Sequence, residues 1–193
     1  MGNPLLHAIE FLIDTLFTLY ITTFLLRFLL QWVRADFYNP VCQSIIKITN
    51  PVLMRVRRFI PGWKGIDWAS IVIVIVFCFI NEYLLIALRF AVLPNPIGIG
   101  LFAIADAIGL VLNIYIFSTL IWAITSWLTP QAINPVLQAI YPLIAPALQA
   151  IQRFIPRFAG LDLSPIALMI ILSLINILLV MPLKTLAIGW VAG

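Results

Sequence analysis

Few side chains in this sequence can do chemistry, and most of those fall inside apolar runs. Glu10 and Asp14 share a helical face, Arg27 lies further along the same run, Asn81 and Glu82 are adjacent in the next, Asp106 comes early in the third, and Asn176 falls near the middle of the last. Ionisable groups at membrane depth are costly, and their usual uses are ion or proton paths and pairing with one another. For Glu10, Asp14 and Asp106 there is a plainer reading, in which each reaches the nearby interface. For Glu82 that plainer reading is weaker. A catalytic centre would need a nucleophile with its base, two carboxylates facing water, or a glycine loop cradling phosphate, and the sequence offers none. His7 is the only histidine, and Cys42 and Cys78 lie in different settings, so haem, zinc and disulfide chemistry lack material. No cofactor, no metal and no enzymatic activity are expected.

A second set of charges lies outside the apolar runs. Arg55, Arg57, Arg58 and Lys64 stand in one connection, and Arg153 and Arg157 in another. Near the first three, Val52, Leu53, Val56, Phe59 and Ile60 follow the spacing of one helix face, and Ala147, Leu148, Ile151, Phe154 and Ile155 repeat it. Asn50 and Pro51 suit a cap and first turn, with earlier helical turns after Asn39-Pro40 and Asn134-Pro135. Such helices either grip anionic lipid headgroups or pack on the protein while their charges merely set orientation. Without stacking aromatics in a polar groove, three arginines do not indicate a nucleic-acid surface. Asp67 and Asp162, each two residues after a glycine, read as caps of the following helices or as contacts for a cation or partner.

These residues must be held by membrane-spanning helices. Of the 193 residues 64% are hydrophobic and 9% charged, with a mean hydropathy of +1.15. A soluble domain is about half apolar and about a quarter charged. Four runs exceed the about 20 residues a crossing takes: Ile9 to Trp32, Trp68 to Leu93, Ile97 to Leu128 and Pro165 to Val191. The opening residues carry no Lys or Arg, so a mature helix is expected rather than a signal peptide. Basic residues crowd the two long connections, whereas Arg89 and Lys184 alone mark the other side. Positive charge stays with the cytoplasm. Both connections are therefore expected in the cytoplasm, both termini outside, and the chain in a cytoplasmic (inner) membrane.

Shifted by 95 residues, the sequence lies on itself without a gap. Trp32 meets Trp127, Asn39-Pro40-Val41 meets Asn134-Pro135-Val136, and Arg58-Phe59-Ile60-Pro61 meets Arg153-Phe154-Ile155-Pro156. Gly65 meets Gly160, Asp67 meets Asp162, Asn81 meets Asn176, and Arg89 meets Lys184. The expected fold is therefore all-α, two parallel tandem repeats (1–95 and 96–193), each of two spans with an amphipathic connection. An even number of spans per unit inserts both copies in the same sense, about an axis along the membrane normal. Asn81 and Asn176 would then sit at equal depth and could bond across that axis.

The segments Phe59-Ile60-Pro61-Gly62-Trp63-Lys64-Gly65-Ile66-Asp67 and Phe154-Ile155-Pro156-Arg157-Phe158-Ala159-Gly160-Leu161-Asp162, with Asp36-Phe37-Tyr38-Asn39-Pro40 before the first, resemble the signature of the YggT (YlmG-like) family. The resemblance covers nearly the whole chain. It implies a small bacterial or plastid membrane protein without catalysis, active in assembly or organisation at the envelope or division site. Its alternative implication is an ion-transport or transport-modulating role, linked to osmotic tolerance and potassium uptake. The second copy departs from the first, with Ala150 and Gln152 where the first has Arg55 and Arg57. Anionic lipids, other membrane proteins and further copies of the chain are the expected partners.

Overall fold

Runs this apolar satisfy their backbone polar groups only within a helix, and helix is what they form. The computed structural model describes residues 4–63, 65–90, 94–128, 134–155 and 162–191. Its elements are α1 (Pro4–Trp32), α2 (Pro40–Val56), α3 (Trp68–Phe90), α4 (Pro96–Leu128), α5 (Pro135–Gln152), α6 (Ser164–Ile175), a π-helical turn (Asn176–Val180) and α7 (Met181–Val191). No strand occurs among the described residues. Four helices are long and apolar enough to cross a membrane: α1, α3, α4 and the continuous α6–π–α7 rod, Ser164–Val191.

The π turn has a local cause. Pro182 lacks the N–H that would bond the Leu178 carbonyl, and its ring crowds that carbonyl. Widening one turn relieves the crowding without breaking the rod. The first repeat has Ala87 at the equivalent position, and α3 is regular.

The connections form longer helices than their sequence suggests. Asn39 caps α2, its Oδ1 accepting from Val41 N at 2.9 Å, and Asn134 caps α5 in the same way at 2.8 Å. Pro51 does not start a helix; it lies inside α2, as Pro142 and Pro146 lie inside α5. Asn50 is accordingly not a cap. Leu53 and Leu148 face inward as the helical spacing requires, but Phe59 and Phe154 do not, being 86% and 85% exposed. The helices end at Val56 and Gln152, so the aromatic that follows two or three residues on leaves the face its spacing implied.

Each repeat is an antiparallel hairpin, α1 against α3 and α4 against the α6–α7 rod, with α3 on α4 joining the two. The junction is one-sided, because α1 touches neither α6 nor α7. A closed two-fold pair would require that contact as the mate of α3–α4, so the symmetric arrangement expected from the duplication does not hold. Small residues explain the choice. Ala103 and Ala107 of α4 pack in one core with Ile73 and Val74 of α3, and residues this small, four apart, admit a close neighbour. On α1 the equivalents are Ala8 and Leu12, and Leu12 breaks the small pair. The main core adds Ile21, Phe24, Leu25, Cys78, Ile114 and Leu143. A second, around Leu30, Ala35, Cys42 and Ala139, seats both connection helices against α1.

Candidate functional site

Two polar regions lie at opposite ends of the bundle. On the side of the connections, Arg27 is buried in α1 and donates from Nη1 to Thr49 Oγ1 at 2.5 Å and Asn50 Oδ1 at 2.8 Å, tying α1 to α2. Arg57 leaves the end of α2 and grips Asp67 bidentately, Nη2 to Oδ2 at 2.8 Å and Nε to Oδ1 at 3.3 Å. Ser70 Oγ donates to the same carboxylate at 2.5 Å. Burial opposes the charge on Asp67, but the bonds from Arg57 and Ser70 outweigh it and hold the carboxyl below the ordinary aspartate range. In the second repeat Gln152 replaces Arg57, and its Nε2 donates to Asp162 Oδ2 at 2.7 Å. Asp162 Oδ1 also accepts from Ser164 N at 2.9 Å. The same two positions close both hairpins, once with charge and once without.

Gly65 makes this geometry possible. Trp63 and Ile66 exchange backbone hydrogen bonds at 3.2 and 3.0 Å, and Gly65 sits between them at φ +81°. That conformation is open to glycine at little cost, and the turn returns the chain to Asp67. Asn39 Nδ2 donates to Pro135 O at 2.7 Å, fastening the two connections together. Arg55, Arg58 and Arg153 remain exposed beside Phe59 and Phe154. Lys64, Pro156, Arg157 and Gly160 lie outside the described residues, and Pro61 is exposed in the turn before Trp63.

At the other end the polar groups of the spans converge. Arg89 Nη2 of α3 pairs with Glu10 Oε2 of α1 at 3.1 Å, and Lys184 of α7 pairs with Asp106 of α4. The two bases are equivalent in the repeats, and each ties its hairpin near the end away from the connections. Asn81 Nδ2 donates to Asp14 Oδ1 at 3.0 Å, and Asn176 Nδ2 to Asn113 Oδ1 at 3.4 Å. Asn81 and Asn176 therefore bond within their own hairpins and not to each other, because the one-sided junction puts neither on a shared axis. Between α1, α3, α4 and α7 lies a cavity of about 370 Å³ lined by Asp14, Thr18, Asn81, Glu82, Asp106 and Lys184, among others. Glu82 and Asp106 meet there within hydrogen-bonding reach, across the repeat junction.

The sequence alone gave Glu10, Asp14 and Asp106 an easy route to the interface. Glu10 is buried instead, Asp106 is partly exposed and pairs with Lys184, and Asp14 is exposed. The missed signal was the level of the charges: Arg89 ends one helix of an antiparallel pair where Glu10 begins the other, and Lys184 and Asp106 repeat that relation. Among the described residues no three His, Cys, Asp or Glu side chains gather closely enough to hold a metal ion.

The comparisons agree with the duplicated hairpin. The family model described as CCB3/YggT matches residues 6–88 and again 101–183, two segments displaced by the same 95 residues as the internal repeat. The chain belongs to the CCB3/YggT family. Among its YggT-family relatives, the Pseudomonas aeruginosa protein named Uncharacterized protein PA0392 is 37% identical over 174 residues, covering 90% of this chain and 88% of that one. YggT of Escherichia coli K12 is 34% identical over 171 residues, 89% of this chain and 88% of the relative. A Vibrio alginolyticus protein, named for the proC 3′ region, is 37% identical over 178 residues, 90% and 94% of the two chains. No solved structure matches the chain significantly.

Proposed function

We propose that this YggT-family protein is a non-catalytic organiser of the bacterial cytoplasmic membrane, which presents its two connection helices as a platform on the cytoplasmic face with both termini outside. One observation carries the reading: α2 and α5 are fastened to each other and to the bundle, while Phe59 and Phe154 project from equivalent positions beside Arg55, Arg58 and Arg153. Aromatic side chains ringed by arginine suit the headgroup layer of an anionic leaflet, where each basic residue contributes about 1 kcal/mol. Arg57 takes no part in this, since its guanidinium is spent on Asp67. A rigid pair of anchors at a fixed spacing can hold neighbouring membrane proteins in place. A conducting role would need polar groups at successive depths. Below the polar cavity come Ile21, Phe24, Leu25, Ile73 and Val74, all buried and apolar, which favours the organiser.

The test places a photo-crosslinking amino acid at Phe59 and, separately, at Phe154 in native membranes. The same membrane-protein adducts should form from both positions and weaken when Arg55, Arg58 and Arg153 are changed to Glu. Adducts to lipid alone, or adducts indifferent to the charge reversal, would remove the platform.

A further inference from the structure

The cavity between the repeats is richer in acceptors than its protein donors can satisfy. Glu10, Asp14, Glu82 and Asp106 bring four carboxylates to this end of the bundle; the bases there are Arg89 and His7, both on Glu10, and Lys184, on Asp106. Glu82 faces Asp106 at hydrogen-bonding distance, an approach two carboxyls make only through a shared proton, whereas no salt bridge among the described residues reaches Asp14, whose charge is left without a balancing cation. The decisive group is neutral. Asn81 is 6% exposed, its amide N–H is used on Asp14, and its Oδ1, buried against the cavity, accepts no hydrogen bond. A buried acceptor without a donor is left with its desolvation uncompensated, a cost that a bound cation would remove.

We propose that the cavity binds one small monovalent cation between Asn81 Oδ1, the carboxylate of Asp14 and a side-chain oxygen of Glu82. Its valence follows from the charge: Asp14 is a single carboxylate without a salt bridge among the described residues, and Asn81 Oδ1 beside it is neutral. Its entrance follows from the lining: Arg89 and Lys184, both partly exposed, stand at the rim away from the connections, and the apolar core closes the opposite end. The ion is therefore held and not passed on. Asp14 belongs to α1, Glu82 to α3 and Asp106 to α4, so the ion bridges the first hairpin at its junction with the second. The proposal goes beyond the platform reading and does not depend on it. An alkali cation carrying water and a small alkylammonium share the required chemistry.

The experiment uses the full chain in nanodiscs at fixed ionic strength, with bulky N-methylglucamine as the balancing cation. Thermal unfolding is followed as sodium, potassium, ammonium or methylammonium replaces it. Unfolding temperature should rise saturably with at least one small cation, and D14N and N81L should each weaken the apparent affinity by about tenfold or more, a change equivalent to about 1.4 kcal/mol. An alkali-only response assigns a hydrated metal ion, and a response restricted to ammonium and methylammonium assigns an amine. Should either variant fail to fold, sodium NMR line broadening by wild-type nanodiscs over empty ones, reversed by the competing cation, gives the answer without mutation. Identical unfolding in every salt with no excess broadening overturns the site. So does stabilisation by acidification alone, which would put a proton where the cation is assigned, or a tighter response to calcium than to any monovalent ion.

Discussion

Replacing Arg57 separates what charge contributes to the hairpin closure from what the hydrogen bond contributes, because the second repeat already carries the neutral version. Asp67 is 3% exposed and Arg57 holds it with two bonds. Removing one partner of a buried pair costs about 3–5 kcal/mol, since the remaining charge is stranded. The Arg57 side chain is 38% exposed, and water screens part of the interaction, so about 2–3 kcal/mol is expected for Arg57→Ala. Arg57→Gln keeps a donor in the manner of Gln152 and should lose about 1 kcal/mol, the gap between a charge-assisted and a neutral hydrogen bond. Reversible unfolding in mixed micelles measures both. The pH dependence supplies a second readout. The Asp67 carboxyl is held below its ordinary value of 3.8, so its contribution is complete above that pH and disappears as pH falls through the lower folded value. Wild type should therefore shed this stability only under strong acid, and Arg57→Ala should show no such loss. Equal costs for Ala and Gln, or an acid profile unchanged in Arg57→Ala, would refute the account of Asp67 as a charge held by Arg57.

Three further outcomes follow from the geometry. A Cβ on Gly98 would lie 2.7 Å from Val191 N and 2.9 Å from Trp190 C, so Gly98→Val should separate α4 from α7 and cost about 1–3 kcal/mol or more in the same unfolding assay, whereas Gly100→Ala, with nothing within 4 Å, should be neutral or mildly stabilising. Exchanging the charges of the outer pair, Glu10→Arg with Arg89→Glu, should recover much of the stability that either single change loses, and recovery no better than the sum of the singles would make the pair incidental. With Cys42 and Cys78 replaced, single cysteines at Ser44 and Gln138 should resist a membrane-impermeant thiol reagent in intact cells while one at Asn3 reacts; the opposite pattern would invert the proposed orientation.

Much of the fold could be read from the sequence because its strongest signals are local or periodic. Span length, the Asn39 and Asn134 caps and the 95-residue offset all depend on neighbours along the chain or on identity at equal spacing. What escaped depends on which helix faces meet. Nothing local distinguishes a closed two-fold pair from a one-sided junction; the choice turns on Ala107 against Leu12, a difference that matters only once α3 presses on one of them. The same blindness hid the ion pairs of Glu10 and Asp106, whose partners lie 79 and 78 residues away along the chain. Phe59 misled for a different reason: the apolar spacing continues past Val56, but the helix does not.

The two hairpins share equivalent positions, and the chemistry at those positions differs between them in one respect, the charge. Each hairpin is tied at three levels: between the connection and its second span, at mid-depth by an asparagine, and near the far end by a base on an acid. In the first repeat the ties are Arg57–Asp67, Asn81–Asp14 and Arg89–Glu10. In the second, glutamine replaces the arginine, and Asn176 bonds Asn113 because Gly109 stands where Asp14 would be. The mid-depth acceptor moved from position 14 to the equivalent of position 18, one turn along the same helix face, so the bond survived without its charge. Charge at mid-depth therefore remains on one hairpin only. With an acid at position 109, each repeat would carry its own polar centre. Instead Asp14, Asn81 and Glu82 of the first meet only Asp106 and Lys184 of the second, and the one-sided junction directs all of them into a single cavity. Placing an acid at the equivalent position tests this account: Gly109→Asp should create a second centre beside Asn176. Its cost should be small if Asn176 turns to donate to the new carboxylate, as Asn81 does to Asp14. A loss approaching that of an unpaired buried charge, about 3–5 kcal/mol, would show that the second hairpin is closed around the neutral bond and does not accept the arrangement of the first.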